Sequence, residues 1–184
     1  MTRKLTLIVA VVLFAALAGC TPDGTGTPTP EPTVYTPTPT PSPEWSAEEQ
    51  NAIDAVQKYL KVWTDISQNL QTADWDQIRT VAGDPTAGNA VTLWLQWNDN
   101  QWHLVGVPAF EVDRVDEGAT DYLGTRYHVH GCYITNGVHL EDTSGNPLTK
   151  QGEDRTTINY LVLHMVNAQD TYLVLEDTVE GKVC

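Results

Sequence analysis

Between residues 46 and 102 apolar side chains recur every three or four positions, and beyond 102 they fall in β-branched and aromatic runs bounded by Gly, Asn and Asp. The first pattern is that of helices with one buried stripe, the second that of strands. Ser46-Ala-Glu-Glu49 fits a capping box, which predicts a helix start with reciprocal bonds between Ser46 and Glu49. Ala52, Ile53, Val56, Leu60, Trp63 and Ile66 then form its apolar stripe, while Glu48, Asp54, Lys58, Lys61 and Asp65 face out or lie at the margins. A second short helix is predicted after Asp74, through Trp75, Ile78 and Val81, ending at Gly83 before Pro85. A third starts at Ala87 or Gly88, carries Ala90, Val91, Trp94, Leu95 and Trp97 on one face, and ends at Asn98-Asp99-Asn100.

Strands are predicted at 103–115, 122–135, 155–167 and 171–179. Asn167-Ala-Gln-Asp170 is a short connection that makes the last two a hairpin, and Asp116-Glu-Gly118 marks a turn between the first two. Asp142-Thr-Ser-Gly-Asn-Pro147 is a further turn cluster. Helices first and antiparallel strands later is the order of an α+β fold with the helices packed on one face of the sheet.

The N-terminus follows a different pattern. Arg3 and Lys4 precede an apolar run from Leu5 to Ala16, broken only by Thr6 and followed by small residues, which is the layout of a secretory signal and too short for a spanning helix. Its end, Leu17-Ala18-Gly19-Cys20, resembles the lipobox of bacterial lipoproteins. That resemblance implies a signal peptide of residues 1–19, cleavage before Cys20, and lipid on its thiol; two or three acyl chains hold a protein firmly to a bilayer. An ordinary secretory signal cut near Ala18 is the alternative. Residues 20–45 form a spacer in which eight of the eleven prolines alternate mostly with threonine. Such a chain favours polyproline II at about 3.1 Å per residue, so Thr21–Glu44 reaches roughly 75 Å. The spacer resembles those of actinobacterial lipoproteins, whose threonines are often O-mannosylated. The expected location is thus outside the cell, anchored to the outer face of the cell membrane.

Composition narrows the partners. The chain has 24 acidic and 10 basic side chains, a net charge of −14, and only Arg3 and Lys4 adjacent among the cations. A nucleic-acid binder needs clustered Lys and Arg to displace counterions, so that class is excluded. With Cys20 lipidated and the chain exported, Cys132 and Cys184 are expected to pair as a disulfide. A free catalytic thiol is the competing reading, and no pattern marks Cys132 as a nucleophile.

A long first helix, two shorter ones with Asp74-Trp75 opening the second, then a meander of strands resembles the NTF2-like (SnoaL-like) cone fold over residues 46–184. The resemblance implies a pocket between the long helix and a concave sheet. Relatives use it as an isomerase, cyclase or dehydratase site, or only to hold a ligand or partner.

Candidate chemistry is sparse. His128-Val-His130 places two imidazoles on one strand face, a start for a metal site, but a third ligand must come from His139, Glu141 or His164. Two polar histidines on a half-exposed strand are the simpler account. For acid–base work the resemblance implies an Asp or His with a Tyr, for which Asp113, His128, His130, His164, Tyr127 and Tyr160 are the candidates. His164, within an apolar run, reads first as a core histidine with a partner. Trp94, Trp97 and Trp102 offer a binding platform or, more simply, core volume. The acidic pairs Asp116-Glu117, Glu141-Asp142 and Glu153-Asp154 lack a calcium-loop spacing. Glycine loops for nucleotides, a nucleophile elbow and zinc-protease helices are missing from the sequence, so no cofactor is expected.

The leading expectation is a lipid-anchored envelope protein whose domain binds a ligand or a protein partner without catalysis. The alternatives are a small-molecule pocket enzyme, and an envelope protein of phage or prophage origin that excludes superinfecting phage.

Overall fold

The computed structural model describes residues 44–149, 155–165, 170–181, 183 and 184. The described residues all fall within one compact unit, Ser42–Cys184. The signal, the lipobox with Cys20, and most of the Thr/Pro spacer lie outside the described residues, as do Glu153 and Asp154. Among the described residues no helix is long and apolar enough to cross a membrane.

Helix α1 spans Ala47–Gln68, and its capping box forms: the Glu49 amide donates to Ser46 Oγ and the Ser46 amide to Glu49 Oε2. Its buried face is Ala52, Ile53, Val56, Tyr59 and Ile66, with Leu60 and Trp63 half-buried at the edge. The second predicted helix is a 3-10 helix, Trp75–Thr80, opened by Asp74, whose carboxylate accepts from the Asp76 amide. Helix α2 spans Thr86–Asp99. Its stripe is Thr86, Ala87, Ala90, Trp94 and Trp97; Leu95, placed there by the sequence, is half exposed because it follows Trp94 by only a third of a turn.

The predicted strand at 103–115 is two strands, β1 (Trp102–Val105) and β2 (Ala109–Thr120), separated at Gly106–Pro108. Gly106 has φ +87°, and a Cβ there would crowd the Gly137 carbonyl, so the chain breaks where only glycine fits. β1 pairs with β4 (His139–Asp142), and Asp142-Thr-Ser-Gly-Asn146 is indeed a turn, with Asp142 Oδ1 accepting from the Ser144 and Asn146 amides. The larger antiparallel sheet runs β2, β3 (Thr125–Ile134), β5 (Arg155–Met165), β6 (Thr171–Val179). The β2–β3 turn is at 121–124, not at Asp116-Glu-Gly118, which continue the strand through a register shift. Asp121 builds that turn by accepting from the Leu123 amide and from Arg126.

Bulges in β2 and between β5 and β6 bend this sheet. Helix α1 lies across its inner face and touches all four strands. Val129, Val162, Val174 and Tyr160 meet Ala52, Val56 and Tyr59 there, and Trp94 lies in the same core. The arrangement is α+β, with helices on one face of a curved antiparallel sheet.

Candidate functional site

A cleft of about 230 Å³ opens where α1, α2 and the inner face of the sheet meet. Tyr59 and Trp63 come from α1, four residues apart on one face; Asn89 comes from α2; Tyr133, Tyr160 and Asp177 come from β3, β5 and β6. Tyr160 and Asp177 are cross-strand partners. Phe110 packs edge-on against Tyr160 at 5.1 Å, and Tyr59 meets the same ring at 6.2 Å. Gly131 makes this possible, since a Cβ there would run into the Phe110 ring and the Glu111 carbonyl.

The cleft is apolar with few polar groups, and those groups are electrically one-sided. Burial pushes the Tyr133 hydroxyl up to about 12, and the Asp177 charge adds to it. Tyr59 and Tyr160 are driven well upward by burial first and by Asp177 and the neighbouring tyrosines next. All three hydroxyls therefore stay neutral near physiological pH and serve as donors or acceptors. Much of Asp177 meets solvent, but its carboxyl borders the cleft, and partial desolvation, reinforced by Glu176, raises it above the ordinary carboxylate range against an opposing bond from its own amide. Neither Lys, Arg nor His is among the described residues that line the cleft. A larger groove, about 490 Å³, lies on the other side of Leu60 along Val107, Pro108 and Phe110, but its charges are Lys61 and Asp65, already paired at 2.6 Å.

Of the residues that the sequence offers as candidates for chemistry, only Tyr160 is among those lining this cleft. Asp113 is exposed at the β2 bulge. His128 and His130 lie on the outer face of the sheet, in register with Leu161 and Asn159, away from the helices. Their rings are 6.3 Å apart, but His130 sits 3.3 Å from Asp116 and 3.7 Å from Glu180, and His128 Nδ1 is 3.4 Å from Asn159 Nδ2. The proposed third ligands are elsewhere: His139 is bonded to Glu141 at 2.7 Å in the small sheet, and His164 is on the inner face, stacked on Tyr172 at 4.1 Å. No set of three or more His, Cys, Asp or Glu side chains able to hold a metal occurs among the described residues. His164 Nε2 is 3.5 Å from Asp170 without hydrogen-bond geometry, and Tyr127 is buried beside Tyr172 with its hydroxyl raised by burial.

Trp94 and Trp97 are core residues, not a platform: Trp94 is fully buried and its indole N–H donates to Ser67 Oγ at 2.8 Å. Trp102 is half-buried against the same core. Cys132 and Cys184 are joined by a disulfide, with Cα atoms 5.9 Å apart.

Tyr59, Asn89, Tyr133 and Asp177 carry no motif in the sequence, and Trp63 reads there only as part of the first helix's apolar stripe. Asp177 is the instructive case. Counting alternately from the buried Val174 turns Glu176 inward and Asp177 outward. β6, however, spends two residues where β5 spends one, between the pairs Val162–Val174 and Leu161–Glu176. One extra residue reverses the faces, so Asp177 points to the cleft with Tyr160.

No protein-family model matches the chain, and no curated protein matches it in sequence. Among solved structures, the crystal structure of the intermembrane space region of the chloroplast protein ARC6 superposes with a TM-score of 0.50 at 14% sequence identity, covering 76% of this chain and 100% of that one. At that identity the likeness concerns the fold alone.

Proposed function

We propose that this protein is an exported lipoprotein, anchored through Cys20 at the outer face of the cell membrane, whose NTF2-like domain holds a small molecule without transforming it. The observation that carries the ligand reading is the cleft between α1, α2 and the sheet, with aromatic walls and one carboxylate. A long helix laid across a bent antiparallel sheet is the arrangement expected of an NTF2-like domain. Binding without catalysis is the simpler reading of a lining that is mostly apolar and aromatic, with Thr86, Asn89, the tyrosine hydroxyls and Asp177 as its polar groups. The anchor rests on Leu17-Ala18-Gly19-Cys20 and on the Thr/Pro spacer behind it.

Two experiments test this. Mass spectrometry of the N-terminal peptide should find Cys20 lipidated, and an unmodified peptide extending upstream of it removes the anchor. A fragment screen by saturation-transfer NMR on the full-length protein in nonionic detergent should yield binders that are lost in Leu93→Trp, which fills the cleft. Fragments that bind the filled variant equally well place the binding surface elsewhere.

A second reading, a pocket enzyme of the isomerase, cyclase or dehydratase type, is favoured by Asp177 alone. A carboxyl with a raised pKa facing neutral hydroxyls suits proton transfer. In that case Asp177→Asn abolishes turnover of a substrate while leaving its binding largely intact.

A further inference from the structure

We propose that the cleft binds a small methylated ammonium group, with Asp177 as its counter-ion and Tyr59, Trp63, Tyr133 and Tyr160 as its walls. The inference rests on the ligand-holding reading above and adds the chemistry of the ligand. Asp177 has no ion-pair partner among the described residues and is the charged side chain in the described lining of the cleft. Its charge stands over a site whose described lining contains no cation. An anionic ligand meets repulsion there and no charged donor. A neutral one leaves the carboxylate partly desolvated and unpaired, a state that costs free energy. A cation removes that cost.

The walls select among cations. Aromatic rings attract a positive group through their quadrupole, and a quaternary ammonium is the cation for which such walls suffice, because it needs no hydrogen-bond acceptors. A primary ammonium is a compact, strongly hydrated charge that loses its water on entering, whereas a methylated one meets the rings through apolar methyl groups. The volume of about 230 Å³ lies below that of pockets for drug-sized molecules and suits a head group. The net charge of −14 further concentrates cations around the protein.

The test uses full-length protein in nonionic detergent, titrated calorimetrically with choline and with 3,3-dimethylbutan-1-ol, its uncharged carbon isostere. Choline is expected to bind at millimolar concentration or better and the isostere about tenfold more weakly or worse, the ratio expected from losing one charge-assisted contact. Asp177→Asn should erase the difference between the two, while Asp99→Asn, which removes the same charge from an exposed site, should preserve it. Equal binding of both compounds to the wild type overturns the ammonium assignment and leaves the ligand pocket standing. So does choline binding that Asp177→Asn does not weaken. If choline fails to bind at all, the assignment is overturned as well, and the Leu93→Trp fragment screen then decides separately whether the cleft is a binding site.

Discussion

Tyr160 on β5 and Asp177 on β6 face each other across neighbouring strands, on the side of the sheet covered by the helices. The pair sets a neutral hydroxyl beside a carboxylate that has no ion-pair partner among the described residues, at the rim of the cleft. A carboxyl partly desolvated there weakens the fold when it ionises.

That statement has a sign. The carboxyl of Asp177 is raised in the folded chain above its ordinary value of 3.8, so its relative stabilisation is complete below the ordinary value and is lost as pH rises through the raised one. Asp177→Asn is therefore expected to melt at a higher temperature than the wild type at neutral pH, with the gain shrinking to nothing in acid. Thermal melts of both proteins from acid to neutral pH check it. A variant less stable than the wild type at neutral pH would show that Asp177 has a stabilising partner instead.

The indole of Trp94 and the hydroxyl of Ser67 form a buried hydrogen bond in a region with no surface exposure. Ser67→Ala leaves the indole N–H without an acceptor, at a cost of about 1–3 kcal/mol. Trp94→Phe removes the donor too, so adding Ser67→Ala to it should cost much less than Ser67→Ala alone. Urea denaturation of the double-mutant cycle measures this, and simple additivity would mean that the bond contributes nothing.

The helices were legible because their signals are local. Ser46 and Glu49 specify a cap through four consecutive residues, and a 3.6-residue stripe places Val56 and Trp94 inward without reference to the sheet. Glu117-Gly118 reads as a turn by composition, yet the chain continues as strand until Asp121 and Arg126 close the hairpin, a contact five residues apart that composition does not carry. The cleft was hidden for a deeper reason. Its members come from five elements, and the phase of Asp177 depends on a bulge in a strand pairing that no period-2 count contains. His128 and His130 stand out in the sequence as a motif, but they sit on the opposite face from the helices and the cleft.

Gly131 is the point at which the sheet and the cleft depend on one small residue. A Cβ there would lie 2.8 Å from the Phe110 ring and closer still to the Glu111 carbonyl, which belongs to the neighbouring strand. Gly131→Ala is expected to cost about 1–3 kcal/mol by overpacking. It also pushes Phe110 away from Tyr160 and so alters the wall of the cleft. Denaturant titration gives the first quantity. Near-ultraviolet circular dichroism, sensitive to the packing of the tyrosines, gives the second, and an unchanged spectrum would mean that the backbone yields instead.

Cys132 and Cys184 lie 52 positions apart, and the bond between them fastens Cys184 to β3 near that strand's C-terminal end. Cys132 shares the outer face with His130, in register with Thr157, whose carbonyl accepts from the Glu180 amide just beyond β6. The tail is thus held at the sheet by a covalent bond, a backbone hydrogen bond and the approach of Glu180 to His130. Closing a loop of this size in the unfolded chain is worth about 2–4 kcal/mol. Cys132→Ala with Cys184→Ala is expected to lower the unfolding free energy by that amount and to leave the cleft intact, because Tyr133, Tyr160 and Asp177 are on the other face. Urea denaturation reads the stability, and the near-ultraviolet signal of the native protein reads the cleft. If removing the cysteines also erased that signal, the tail would be shaping the inner face through the sheet, and the two faces could no longer be treated as independent.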